Sequence, residues 1–207
     1  MAFESVASFA NELDCEVAVP GFGTVLLDIA FGGAYYAIVP AARLGLSLQD
    51  TPLEHLVAAG VAITDAVRAA VPISHPEEDD LGFLYGTILT DDVPLGGNGG
   101  VPSYNLCIFA EGQIDRSPTG SGVTARIALA AAKGAIQPGQ SCEIRGVSGQ
   151  GFVGTLSAAK ETRTGIISRV RVEGSAFYSG RSELVCEATD PFAFGFALPT
   201  KFADYAS

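Results

Sequence analysis

Residues 115 to 130, DRSPTGSGVTARIALA, constrain the fold most: an aspartate, a proline and two spaced glycines lead directly into an apolar run of helical length. Pro118, Gly120 and Gly122 remove side-chain bulk where a strand must turn into a helix beginning near Ser121. Such a turn leaves first-turn N–H groups without intrahelical partners, and together with the helix dipole they suit an anion such as a carboxylate. Asp115, a few residues upstream, could hold a cation close by, so the pair would suit a zwitterion such as an amino acid. Ser/Thr-Pro-x-Gly before a helix is also an ordinary cap, and pattern alone leaves both readings open.

Around this turn the chain alternates strands and helices. From Asp14 to Val39 the runs CEVAVP, TVLLDIAF and AYYAIVP, separated by Pro20-Gly21 and Gly32-Gly33, read as strands with tight turns. TPLEHLVAAGVAITDAVRAAV then offers Thr51 as N-cap, Pro52 at the first helical position and Glu54 three residues after the cap. Leu53, Leu56, Val57, Val61, Thr64 and Val67 share one face of that helix. LGFLYGTIL (81 to 89) and YNLCIFA (104 to 110) read as strands, and PLGGNGGVPS between them as a glycine-rich hairpin connection. Lys133-Gly134 closes the second helix, after which SCEIRGV, GFVGTLS, GIISRVRVE and SELVCEA predict further strands.

Composition narrows the function classes. Apolar residues make up 48% of the 207 positions and charged residues only 17%, as in a globular chain. A net charge of −11 without a Lys/Arg cluster repels phosphate backbones, so nucleic acid is not an expected partner and a small organic ligand is. Cys15, Cys107, Cys142 and Cys186 are far apart, lack C-x-x-C spacing and read as reduced core thiols. The consecutive acids Glu77 to Asp80 lack the alternation of a calcium loop. The N-terminus shows no basic-then-apolar leader and no stretch holds 18 uncharged apolar residues, so the expectation is a cytoplasmic protein without a membrane span.

DRSPTGSGVTARIAL, together with DIAFGGAYYAIV (28 to 39), EDDLGFLYGTILTD (78 to 91) and DPFAFGFAL (190 to 198), resembles the proline racemase superfamily, and within it the trans-3-hydroxy-L-proline dehydratases. Four ordered blocks carry the resemblance over nearly the whole chain. It implies an α+β, diaminopimelate-epimerase-like fold: two lobes, each a β-sheet wrapped on a central helix, with substrate between the helix N-termini. It also implies cofactor-independent chemistry, in which one base takes the Cα proton and, in racemases and epimerases, a cysteine on the opposite face returns one.

Here Thr119 stands at that second cysteine's position, RSPTG in place of RSPCG. A threonine hydroxyl is too weak an acid for symmetric two-base racemisation, which argues against a racemase or epimerase and for loss of the 3-hydroxyl as water. The resemblance further implies that Asp115 binds the ring ammonium, the amides of Gly120 and Ser121 hold the carboxylate, and Thr119 bonds near the departing hydroxyl. Phe109 matches a pocket-lining aromatic of the family and equally fits an inward strand residue. His75 matches a family His-Pro pair and reads as a loop contact, and His55 as a solvated helix residue; neither takes a role.

The chain departs from the family in one respect: nothing in residues 1 to 207 corresponds to the upstream MCGHG-like segment whose cysteine is the first base. Cys15, in strand-like LDCEVAVP, cannot replace it. The expectation is therefore residues 1–148 as the second lobe and 149–207 as strands that complete the first lobe in full-length relatives. On that expectation the chain alone lacks dehydratase activity, exposes apolar surface along residues 151 to 187, and dimerises, aggregates or frays there. The alternatives are a non-catalytic fragment or pseudoenzyme that keeps an amino-acid-binding half-site, or a proline or hydroxyproline racemase-epimerase.

Overall fold

The computed structural model describes residues 1–96 and 99–197, so positions 97 and 98 of the glycine-rich loop and Leu198 of the last block lie outside the described residues. The chain divides into two units, Met1–Ser175 and Ala176–Ser207. Among the described residues the first unit contains β1 (Ala2–Glu4), β2 (Ser8–Val19), β3 (Gly23–Phe31), β4 (Tyr35–Pro40), α1 (Leu53–Ala70), β5 (Leu84–Thr90) and β6 (Ser103–Phe109). It continues through β7 (Gln113–Ile114), α2 (Gly120–Ala132), β8 (Ser141–Arg145), β9 (Gly151–Thr162) and β10 (Gly165–Glu173).

The strands follow the order β10-β2-β3-β4-β5-β6-β8-β9, and β9 returns to β10, so the sheet closes on itself. β1 pairs with β10 and β7 with β6. Two of the pairings, β4 with β5 and β6 with β8, are parallel, and α1 and α2 supply the long crossovers that parallel neighbours require.

α2 is the central helix. Every residue from Gly122 to Ala131 is buried, on all sides of the helix, which only an interior position permits. α1 instead buries one stripe, Leu56, Ala59, Gly60, Ile63, Thr64 and Val67, and covers the sheet from outside. The two helices explain strand burial. β4 lies between them and is buried at both parities from Tyr35 to Val39, whereas β10 alternates, with Ser168, Val170 and Val172 inside and Arg169 and Arg171 outside. Where β3 ends, Gly32 touches α2 so closely that a Cβ would fall 2.2 Å from the Ser121 carbonyl oxygen.

Several expectations need correction. Residues 1–175 form one compact unit, in which β9 and β10 close the sheet around α2. Leu156, Val170 and Val172 are buried with Val123 and Ile127 of α2 rather than exposed, and burying each stabilises by about 1.5–3 kcal/mol, whereas Ile167, Leu184 and Val185 are exposed as expected. SELVCEA forms no strand: without a neighbouring strand to take its N–H and C=O groups the segment has no ladder, and turns follow at 187 to 195. Cys186 is exposed there, while Cys107 and Cys142 are buried, Cys15 is half-buried and all four are free. Thr51 does not cap α1. Pro52 occupies that position, and the Thr51 hydroxyl accepts the Ser47 N–H at 2.9 Å, stitching the preceding loop instead. Among the described residues no helix is long and apolar enough to cross a membrane.

Candidate active site

Asp115 builds the turn into α2. Its Oδ1 accepts the Ser117 N–H at 2.8 Å and its Oδ2 accepts the Thr119 hydroxyl at 2.9 Å, while the Thr119 N–H donates to Ser117 Oγ at 3.0 Å. These short-range bonds hold Thr119 at φ 64°, ψ 108°. That backbone region is an outlier for a β-branched residue and costs on the order of 1–3 kcal/mol, so it persists only where its surroundings over-determine it. Because the Thr119 hydroxyl turns to Asp115, no side chain caps α2. The first-turn amides of Gly120 and Ser121 therefore carry no side-chain cap, and the positive end of the helix dipole lies behind them.

A cavity of about 400 Å3 opens at this turn, lined by Ala34, Tyr36, Tyr85, Cys107, Phe109, Asp115, Thr119, Gly120 and Ser121. That volume is in the range of small-molecule sites. The structure thus brings together all five residues singled out in the sequence: Asp115, Thr119, Gly120, Ser121 and Phe109. Phe109 is half-buried and stacks on Tyr85, ring centroids 5.4 Å apart and planes 18° apart, so it is both a strand residue and a cavity wall.

Three lining side chains escaped the sequence reading. The Tyr36 hydroxyl and Ser121 Oγ are 2.7 Å apart and share a hydrogen bond. Burial raises the Tyr36 phenol well above its ordinary value, so the ring stays neutral and the bond is maintained at physiological pH. Tyr85 packs edge-on against Tyr36 at 5.7 Å. Cys107 is buried, and desolvation pushes its thiol up to about 11, with the hydrogen bond to Thr119 offsetting part of the rise and the charge of Asp115 adding to it. It is a protonated thiol near neutral pH, not a thiolate. Tyr36 in β4, and Cys107 and Phe109 in β6, point to the α2 side, a choice of face that strand alternation alone does not make.

The histidines lie elsewhere. His75 packs on Phe31 at 4.7 Å, and its Nδ1 accepts the Glu77 and Glu78 N–H groups at 3.3 and 3.1 Å, which is a loop contact. His55 is exposed, 4.0 Å from Glu54.

A strained threonine, a carboxylate and an uncapped helix N-terminus meet in one small cavity, on a closed sheet wound around that same helix. The proline racemase family profile matches residues 1–197, and the chain belongs to the proline racemase family. It is 48% identical over 199 residues to trans-L-3-hydroxyproline dehydratase of Xenopus tropicalis, covering 95% of this chain and 56% of that protein. To trans-3-hydroxy-L-proline dehydratase of Homo sapiens it is 46% identical over 198 residues, covering 95% and 55%. Among solved structures it is similar to a hydroxyproline epimerase from Agrobacterium vitis with bound trans-4-OH-L-proline, at TM-score 0.76 and 28% identity, covering 95% of this chain and 55% of that one. A probable proline racemase from Agrobacterium radiobacter K84 with bound carbonate gives TM-score 0.75 and 30% identity, covering 95% and 56%. The chain spans about half the length of the curated relatives it matches.

Proposed function

We propose that the chain supplies one half of the active site of a trans-3-hydroxy-L-proline dehydratase, with the substrate carboxylate on the Gly120 and Ser121 amides and the ring ammonium at Asp115. The observation that carries this reading is the Thr119 hydroxyl, held by Asp115 at 2.9 Å on the cavity wall where a racemase needs a thiol. Similarity to proteins named as dehydratases of this substrate supports it.

The reaction balances without a cofactor. A base outside residues 1–207 takes the proton from Cα, the electron pair forms the C2=C3 double bond, and the 3-hydroxyl leaves with a proton as water. The enamine then tautomerises to the cyclic imine Δ1-pyrroline-2-carboxylate. In this step the Thr119 proton turns from Asp115 to the departing oxygen, and the hydroxyl is too weakly acidic to protonate Cα from the opposite face. Cys107, protonated and buried, is no substitute base.

The test is imine formation from trans-3-hydroxy-L-proline by the protein that carries this chain, assayed beside L-proline and trans-4-hydroxy-L-proline. Dehydration of the 3-hydroxy substrate with no inversion of the other two is expected, and inversion without dehydration overturns the reading. In the same enzyme Thr119→Cys is expected to fold, since an unbranched side chain tolerates positive φ better than threonine, and to introduce solvent-deuterium exchange at Cα of proline. A Cys variant that neither exchanges nor inverts would place residue 119 on the wrong face of the substrate.

A further inference from the structure

A buried polar chain runs through the sheet and ends on the strained turn. Arg126, in the middle of α2 and only 7% exposed, donates from Nη1 to Asn105 Oδ1 at 2.8 Å and from Nη2 to Ser103 Oγ at 2.9 Å. The Ser103 hydroxyl donates in turn to the Asp91 carboxylate, which also accepts the Tyr104 N–H at 3.0 Å. Asn105, 2% exposed, carries the chain to the site: its Nδ2 donates to the Pro118 carbonyl oxygen at 2.9 Å.

Chemistry fixes the direction of this relay. A guanidinium only donates, so the Asn105 oxygen must face Arg126 and the amide N–H must face Pro118. Desolvation lowers Arg126 to about 10, with Asp91 opposing the shift, so the guanidinium remains charged at neutral pH. β6 pairs with β5 at this point through backbone, Asn105 opposite Thr90, and the Asn105 side chain is not needed for that ladder. The carbonyl it grips belongs to the same peptide unit as the Thr119 N–H. From another side Gly146 abuts the turn, where a Cβ would come within 2.6 Å of the Ser117 carbonyl carbon.

We infer that Asn105, oriented by Arg126, is a positioning residue that fixes the Pro118–Thr119 peptide and thereby keeps the Thr119 hydroxyl on Asp115 and at the cavity wall. The kinetic consequence rests on the proposed dehydration; the structural consequence does not.

Asn105→Asp in the complete enzyme separates this role from simple packing. The aspartate has the same shape and keeps an acceptor for Arg126, but it cannot donate to the Pro118 oxygen. The expected result is a kcat for trans-3-hydroxy-L-proline reduced by roughly tenfold or more, as for a displaced catalytic group, with KM little changed and the melting temperature near that of the parent. The backbone amide resonances of Thr119 and Gly120 are expected to move in the same variant. Asn105→Ser, smaller and neutral, gives the same two readouts should the aspartate variant not fold. Unmoved Thr119 and Gly120 resonances, or a parental kcat per folded molecule in a variant that has lost only stability, overturn the inference. A parent enzyme without dehydratase activity would sink the proposed function instead, and the resonances would still decide the role of Asn105.

Discussion

Gly32→Ala is expected to destabilise the first unit by about 3 kcal/mol or more, the upper end of the cost of overpacking. The added Cβ would lie 2.2 Å from the Ser121 carbonyl oxygen and 2.4 Å from the Ala125 nitrogen, both backbone atoms of α2. Neither can rotate away as a side chain would. α2 is enclosed by the sheet over ten consecutive buried residues, so moving it compresses Val123 and Ile127 against β9 and β10. The melting temperature is expected to fall by roughly 6–12 °C for a chain of this size. Gly21→Ala is the control: it has positive φ but nothing within 4 Å of its Cβ, and its expected cost is about 1 kcal/mol. Equal melting temperatures for the two variants would show that the approach of β3 to α2 is looser than the structure has it. A ligand-binding defect is expected to accompany the loss in Gly32→Ala, because Ser121 and its bond to Tyr36 ride on the part of α2 that must move.

The site residues legible in the sequence are those whose geometry is local. Asp115, Ser117 and Thr119 bond to one another within five residues, and Pro118 and Gly120 mark the turn whatever the rest of the chain does. Tyr36, Tyr85 and Cys107 were illegible for the opposite reason. Alternation divides a strand into two faces but does not say which face meets α2, and β4 and β5, apolar on both faces, give no contrast to decide it. Closure of the sheet makes that choice, through pairings between positions as distant as Phe9 and Ile167. The same long-range pairing decides where β9 and β10 lie. Their alternation showed that they were strands packed on a helix, and only register shows that the helix is α2. β1 and the first half of β2 were missed because their residues are largely exposed or half-buried and carry a weak apolar signal.

Asp115→Asn is expected to leave the fold intact and lower kcat/KM for trans-3-hydroxy-L-proline by about 10- to 150-fold in the complete enzyme. The estimate follows from losing one charge-assisted hydrogen bond, about 1.5–3 kcal/mol. Asparagine retains one carbonyl oxygen for the Ser117 N–H, so the first bond of the turn survives. The second reverses. At the position of Oδ2 an amide N–H would donate to Thr119 Oγ1 where the carboxylate now accepts from it. The Thr119 oxygen stays near its place and accepts from the amide, so its own proton is no longer held at residue 115, and the negative charge opposite the ring ammonium is gone. The expected loss is therefore weaker binding of the zwitterion. Tetrahydrofuran-2-carboxylate, which has the ring and the carboxylate but no ammonium, isolates it. Its binding to the parent and to the Asn variant is expected to be alike, since the Gly120 and Ser121 amides are unaltered, whereas L-proline is expected to bind the variant at least about tenfold more weakly. If proline and its oxygen analogue lose affinity equally, Asp115 acts by shaping the turn and not by meeting the ammonium; if kcat/KM does not change at all, the carboxylate has no part in the site.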